Sequence, residues 1–297
     1  MTNTTQRKSR PSVLRRLVRN RSGLVALIIV VVFLLMAVLG PWIAPYDPND
    51  LNPSDFLQGP SADHWFGTDE LGRDQLSRVI DAARVAILIS GLSVIIALAV
   101  GSVMGIVAGY AGGWVDTVLS RVMDVMFSFP TLLLAIVIVA VLGPGLVNAT
   151  IAIAVVYIPR FARVARGATL SVRHDLYIEA GRLSGVTNLR IAIRHVIPNI
   201  TAPMIVLVAL SMSTAQLAYS ALSFLGLGTN PPQADYGSML ARARNFMTLA
   251  PWLVIFPAIA LVLLIVGFNL LGDGLRDVLD PRAESGEGSI EGVEATI

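Results

Sequence analysis

Residues 125–159 read V-M-F-S-F-P-T-L-L-L-A-I-V-I-V-A-V-L-G-P-G-L-V-N-A-T-I-A-I-A-V-V-Y-I-P, a run without a charged side chain and with Gly143-Pro144-Gly145 at its centre. A hydrocarbon core of roughly 30 Å needs about 20 mainly apolar residues in a helix, because lipid offers a bare backbone no hydrogen-bond partner. The run is too long for one crossing and long enough for two. Proline lacks an amide donor and glycine favours a turn, so the triplet predicts two antiparallel helices joined by a tight reversal.

Four further uncharged runs, at 22–46, 85–115, 196–234 and 245–272, extend the same reading along the chain. Six spans are expected near 22–42, 85–109, 118–142, 147–166, 200–222 and 251–272. The fourth contains Arg160 and Arg163, which must either snorkel to headgroups or face protein; a re-entrant hairpin is the alternative there. Composition agrees: 55% of the 297 residues are hydrophobic and 14% charged, against about 25% charged in an ordinary soluble domain. The mean hydropathy is +0.71.

Charge placement orients the spans. The N-terminal tail carries Arg7, Lys8, Arg10, Arg15, Arg16, Arg19 and Arg21, and segment 159–199 carries Arg160, Arg163, Arg166, Arg173, Arg182, Arg190 and Arg194. Between 43 and 83, eight acidic residues face only Arg73 and Arg78. The positive-inside rule then puts both termini and the 167–199 loop in the cytoplasm and the acidic loop outside. A pI near 9.2 would suit nucleic acid, but these cations face one side of a membrane, and no nucleic-acid partner is expected. Arg15-Arg16 before an apolar run resembles a secretory leader; the run is of spanning length and no small-residue cleavage site follows it, so cleavage is not expected.

Several chemistries are excluded. There is no cysteine, and hence no disulfide, thiolate metal site or cysteine nucleophile. The only lysine is Lys8, so the chain has no G-x-x-x-x-G-K-[ST] loop to cradle nucleotide phosphates. His64, His174 and His195 form no H-E-x-x-H pair, which argues against a zinc hydrolase. No Asp, Glu or Lys lies in the middle of a span, where ion-coupled carriers usually place ionisable groups. Catalytic residues, metals and cofactors are therefore not expected in this chain. Ser211, Ser213, Gln216, Tyr219 and Asn269 are candidates to line a path or, alternatively, to bond helix to helix. Ala97, Gly101, Gly105 and Gly109 form a small-residue ridge on span two, whose neighbour can be another helix of this chain or a second subunit.

Residues 175–200, D-L-Y-I-E-A-G-R-L-S-G-V-T-N-L-R-I-A-I-R-H-V-I-P-N-I, are too patterned for a connector. A helix, a turn at Gly185 and a second helix ending at Pro198 fit the apolar spacing. Such an elbow suits docking to another protein or lying on anionic lipid, and pattern leaves both open. On the other side, 64–80 reads as an interfacial helix with Thr68 as N-cap, contributing either to a docking mouth or to scaffold. The tail 283–297 is acidic with Gly and Ser and reads as disordered.

Glu179-Ala180-Gly181, Gly185 and Pro198 resemble the EAA motif of permease subunits in binding-protein-dependent ABC importers. Arg194-His195-Val196-Ile197-Pro198-Asn199 is similar to the version found in the dipeptide, oligopeptide and nickel branch. Gly181, His195 and Ile197 depart from the general consensus. H-W-F-G-T-D-E-L-G-R-D-Q-L-S-R at 64–78, G-Y-A-G-G-W-V-D at 109–116, F-S-F-P at 127–130, A-L-S-F-L-G-L-G at 221–228 and F-N-L-L-G-D-G-L-R-D at 268–277 resemble the same branch, in the same order.

The resemblance implies an all-α integral membrane protein with the six-helix type I importer permease fold, of the C-type in a peptide importer. Its domains would be a basic tail 1–21, a first span with external loop 22–83, a permease core 84–275 and a tail 276–297. It also implies a homologous second permease, two ATPase subunits that bind ATP and Mg²⁺, an external solute-binding protein, and a bacterial inner-membrane location. The elbow becomes the coupling helix seated on an ATPase, with Glu179 capping amides, pairing with a cation on that partner, or pairing locally with Arg182. Ala180, Gly181 and Gly185 keep its surface low, and Pro198 fixes entry into span five. The cargo is a di- or oligopeptide, with a nickel chelate or other small solute as the alternative. A self-contained secondary carrier is the remaining alternative outside the family.

Overall fold

The computed structural model describes residues 13–173 and 187–279, and these are helical apart from their connections. The elements are α1 (Val13–Arg19), α2 (Arg21–Ile43), α3 (Gln75–Ala111), α4 (Gly113–Ser128), α5 (Thr131–Leu142), α6 (Leu146–Val172), α7 (Asn188–Ile191), a π-helical turn Ala192–Val196, α8 (Ile197–Phe224), α9 (Tyr236–Ala243) and α10 (Trp252–Leu279). Helices α2, α3, α6, α8 and α10 are each long and apolar enough to cross a membrane, and the bent pair α4–α5 makes a sixth candidate.

The Gly143-Pro144-Gly145 reversal forms as expected. Gly143 and Gly145 take φ of +89° and +143°, values closed to most side chains, and α6 starts at Leu146. The expected span 118–142 is not one helix. It breaks at Phe129-Pro130, where α4 and α5 meet at 94°. Proline disfavours helical backbone in the residue before it, and Phe129 is extended at φ −94°, ψ 137°.

The second difference lies between 64 and 80. No separate interfacial helix forms there: helix begins only at Gln75 and continues unbroken through span two. The N-cap is Asp74, whose Oδ2 accepts from the Ser77 amide at 2.8 Å. Thr68 instead holds the preceding loop, accepting from the Gln58 amide at 2.8 Å and donating to the Asp55 carbonyl. At about 1.5 Å per residue α3 is about 55 Å long, so it outruns a hydrocarbon core of about 30 Å and stands out beyond it.

Helix α3 joins two halves of the core. Val85, Ile89 and Val94 pack with Tyr157 and Phe161 of α6 and Met204 of α8. Val79, Ala82 and Ala86 pack with Phe33 of α2, Tyr236 of α9 and Leu264 and Phe268 of α10.

Candidate functional site

The small-residue ridge of α3 meets α6. A Cβ on Gly101 would lie 2.6 Å from the Ile158 carbonyl oxygen, one on Gly105 would overlap the Ala162 carbonyl, and one on Gly109 would sit 2.9 Å from the Thr169 Cβ. Ala97 is buried in the same core. Helix backbone cannot swing aside, so this approach requires small residues. The ridge's neighbour is thus within the chain, and the close seam sets the rotation of α6.

That rotation distributes three arginines spaced by one helical turn. Arg166 makes a forked pair with Asp116 of α4, with Nη2 2.7 Å from Oδ2. Arg163 lies 3.1 Å from Asp124 of α4 and 4.1 Å above the Phe127 ring. Arg160 has no carboxylate within ion-pair distance among the described residues; its Nη1 lies 3.4 Å from the Thr214 hydroxyl of α8. Of the two options the sequence allowed for the arginines in span four, both Arg160 and Arg163 contact neighbouring helices, Arg163 while more than half exposed.

Arg160 opens onto a groove of about 380 Å³ at the α4–α5 bend, lined by Phe127, Thr131, Tyr157, Thr214 and Leu217 among others. The polar residues singled out on span five lie elsewhere. Ser211, Ser213, Gln216 and Tyr219 are buried within the bundle, with Gln216 Nε2 donating to Ser220 Oγ at 3.3 Å. Asn269 is half-buried on α10. Thr214 went unnoticed because nothing in sequence separates one span threonine from another. Arg160 carried the only signal, a charge in an apolar run.

The elbow residues Glu179, Ala180, Gly181 and Gly185 lie outside the described residues. Their flanks are anchored. Arg173 Nη1 donates to the Gly109 carbonyl at 3.0 Å, tying the end of α6 to the end of α3. On the return, Ile191 and Val196 are buried at 1% and 0% exposure, while Arg190, Arg194 and Pro198 point outward. His195 lies in the π-helical turn. The expected second helix does not end at Pro198: α7 and the π turn run directly into α8, and Pro198 occupies the first turn of that helix. The turn's extra residue per loop re-aims the chain while keeping its backbone bonded.

At the opposite end of α3, loop 44–74 is a folded cap. Asp69, Arg73, Asp74 and Arg78 are each no more than 4% exposed. Asp69 pairs with Arg73 at 2.7 Å and lies 3.5 Å from Arg78, and Glu70 reaches Arg242 at 3.3 Å. Trp252 Nε1 donates to the Thr68 carbonyl at 3.2 Å, and Tyr236 Oη to that of Val79 at 3.1 Å. The segment 64–78 is therefore held in place by buried ion pairs and hydrogen bonds.

Comparison with known proteins bears on what this architecture serves. Residues 101–285 match the binding-protein-dependent transport system inner membrane component family, and residues 12–60 match the N-terminal transmembrane domain of oligopeptide transport permease C. A dipeptide transport system permease protein of Alkalihalophilus pseudofirmus is 45% identical over 91% of this chain and 89% of its own length. A di/tripeptide transport system permease protein of Pseudomonas aeruginosa is 43% identical, covering 90% of each chain. A glutathione transport system permease protein of Escherichia coli is 43% identical over 90% of this chain and 89% of its own.

Proposed function

Because the chain belongs to the inner membrane components of binding-protein-dependent transport systems, as a C-type permease of the dipeptide and oligopeptide branch, we propose that it carries short peptides across a bacterial inner membrane by alternating access. It works with a homologous second permease, two ATPase subunits and an external solute-binding protein. ATP and Mg²⁺ are bound by the ATPases, since this chain has no lysine in a phosphate-binding loop. Both termini and the elbow face the cytoplasm, and the 44–74 cap faces outward, in keeping with the arginine distribution.

The observation that carries this reading is one of connectivity. The two helices that leave the elbow, α6 and α8, are the two that supply Tyr157, Arg160, Thr214 and Leu217 to the groove. A rigid shift of a docked elbow therefore reaches the groove without an intermediary. Substitution tests this directly in the assembled transporter. Glu179→Lys and Gly185→Trp should leave the complex in the membrane while lowering peptide uptake and binding-protein-stimulated ATP hydrolysis about tenfold, the scale of a typical coupling free energy between sites. Normal coupling in both variants would contradict the role given to the elbow.

A further inference from the structure

Three arginines sit on α6, and among the described residues only Arg160 lacks a carboxylate within ion-pair distance. Asp116 and Asp124 of α4 serve Arg166 and Arg163, whereas Arg160 opens onto the groove at the helix break. Arg160 lies about 21 Å along α6 from Leu146, in a helix long and apolar enough to cross a membrane. A guanidinium on a membrane-spanning helix is costly and persists where a partner or a polar path compensates it. The Thr214 hydroxyl at 3.4 Å is a weak neutral contact and leaves most of its five donors unclaimed.

The surroundings favour an anion with an apolar body. Tyr157 and Thr214 add hydroxyls beside Arg160, and Phe127, Leu132 and Leu217 supply apolar wall. The first turn of α5, which no side chain caps, borders the same space at Thr131. Non-helical backbone at membrane depth, as at Phe129-Pro130, is tolerated where it is buried in protein or lines a cavity, and broken helices of this kind frame substrate sites in transporters. A groove of about 380 Å³ falls within the range of small-molecule sites.

We propose that Arg160 is a cargo-binding residue: its guanidinium holds the C-terminal carboxylate of the peptide in transit, with Tyr157 and Thr214 beside it and the residue side chain against Phe127 and Leu217. This rests on the peptide-import reading above. The carboxylate matches the fork of an arginine, which binds it through two parallel charge-assisted hydrogen bonds. Arg163 pairs with Asp124 and is not among the residues lining the groove.

The test uses the whole importer, with its second permease, ATPases and binding protein, in proteoliposomes. Uptake of Ala-Phe is compared with uptake of Ala-Phe amide, at concentrations that load the binding protein equally. Wild type should prefer the acid, and Arg160→Gln should lower the acid-to-amide ratio about tenfold, the loss expected for a hydrogen-bonded charge. Arg160→Lys, which keeps the charge without the fork, should retain part of the preference. An unchanged ratio in Arg160→Gln, whether both rates fall together or neither does, would overturn the proposal. So would dissociation of the second permease from the Arg160→Gln complex, which would assign Arg160 to a contact between subunits. Wild-type vesicles that hydrolyse ATP yet import neither peptide would overturn the peptide reading itself, and the anchor with it.

Discussion

The cap at 44–74 and the arginine ladder of α6 handle charge in opposite ways. In the cap, Asp69, Arg73 and Arg78 are nearly sealed from solvent with Asp69 within ion-pair distance of both arginines, Arg78 also donating to the Pro48 carbonyl, and Glu70 extending the network to Arg242. On α6 the pairing loosens along the helix, from the forked Arg166–Asp116 contact, through the exposed Arg163–Asp124 pair, to Arg160, which has no carboxylate within ion-pair distance among the described residues. Charges closed on each other hold a shape. A charge left open on a cavity is available to something that arrives.

The contrast can be broken first at the cap. Asp69→Ala strands Arg73 and Arg78 in a buried site and should cost about 3–5 kcal/mol, the scale for removing one partner of a buried ion pair. A large fall in melting temperature in detergent, with loss of hydrogen-exchange protection over 64–78, is the expected result. The seam that places the ladder comes next. Gly105→Leu drives a side chain into the Ala162 carbonyl and should cost at least the ~1–3 kcal/mol of an overpacked core; Gly167→Leu, where no atom lies within 4 Å, should be tolerated in the same melting assay. Asp124→Ala is the smallest change. Its pair with Arg163 is more than half exposed on both sides, so stability should move by less than about 1 kcal/mol.

Much of this architecture was legible because the controlling residues act locally. Gly143-Pro144-Gly145 needs positive φ and lacks a donor, and it turns the chain where expected. The break at Pro130 was harder to see, since F-S-F-P stands inside an unbroken apolar run and a single proline in a span can kink a helix or end it. Asp74 displaced Thr68 as the cap because Thr68 is held by Gln58 and Asp55, a tertiary contact that no local pattern reports. The four-residue spacing of Ala97, Gly101, Gly105 and Gly109 announced a close approach, but only the fold identifies α6 as the partner. The groove was invisible for a similar reason. It draws Phe127, Arg160 and Thr214 from three helices, and the polar residues that stood out on span five point into the bundle instead.

The central claim is that this chain is one part of a machine whose energy comes from elsewhere and enters through the elbow. The most direct measurement is ATP-dependent uptake of a labelled dipeptide into proteoliposomes holding this chain, its second permease and the ATPases, with the binding protein added outside. The account predicts uptake only when every component and ATP are present. ATP-independent uptake by vesicles containing this chain alone would contradict it.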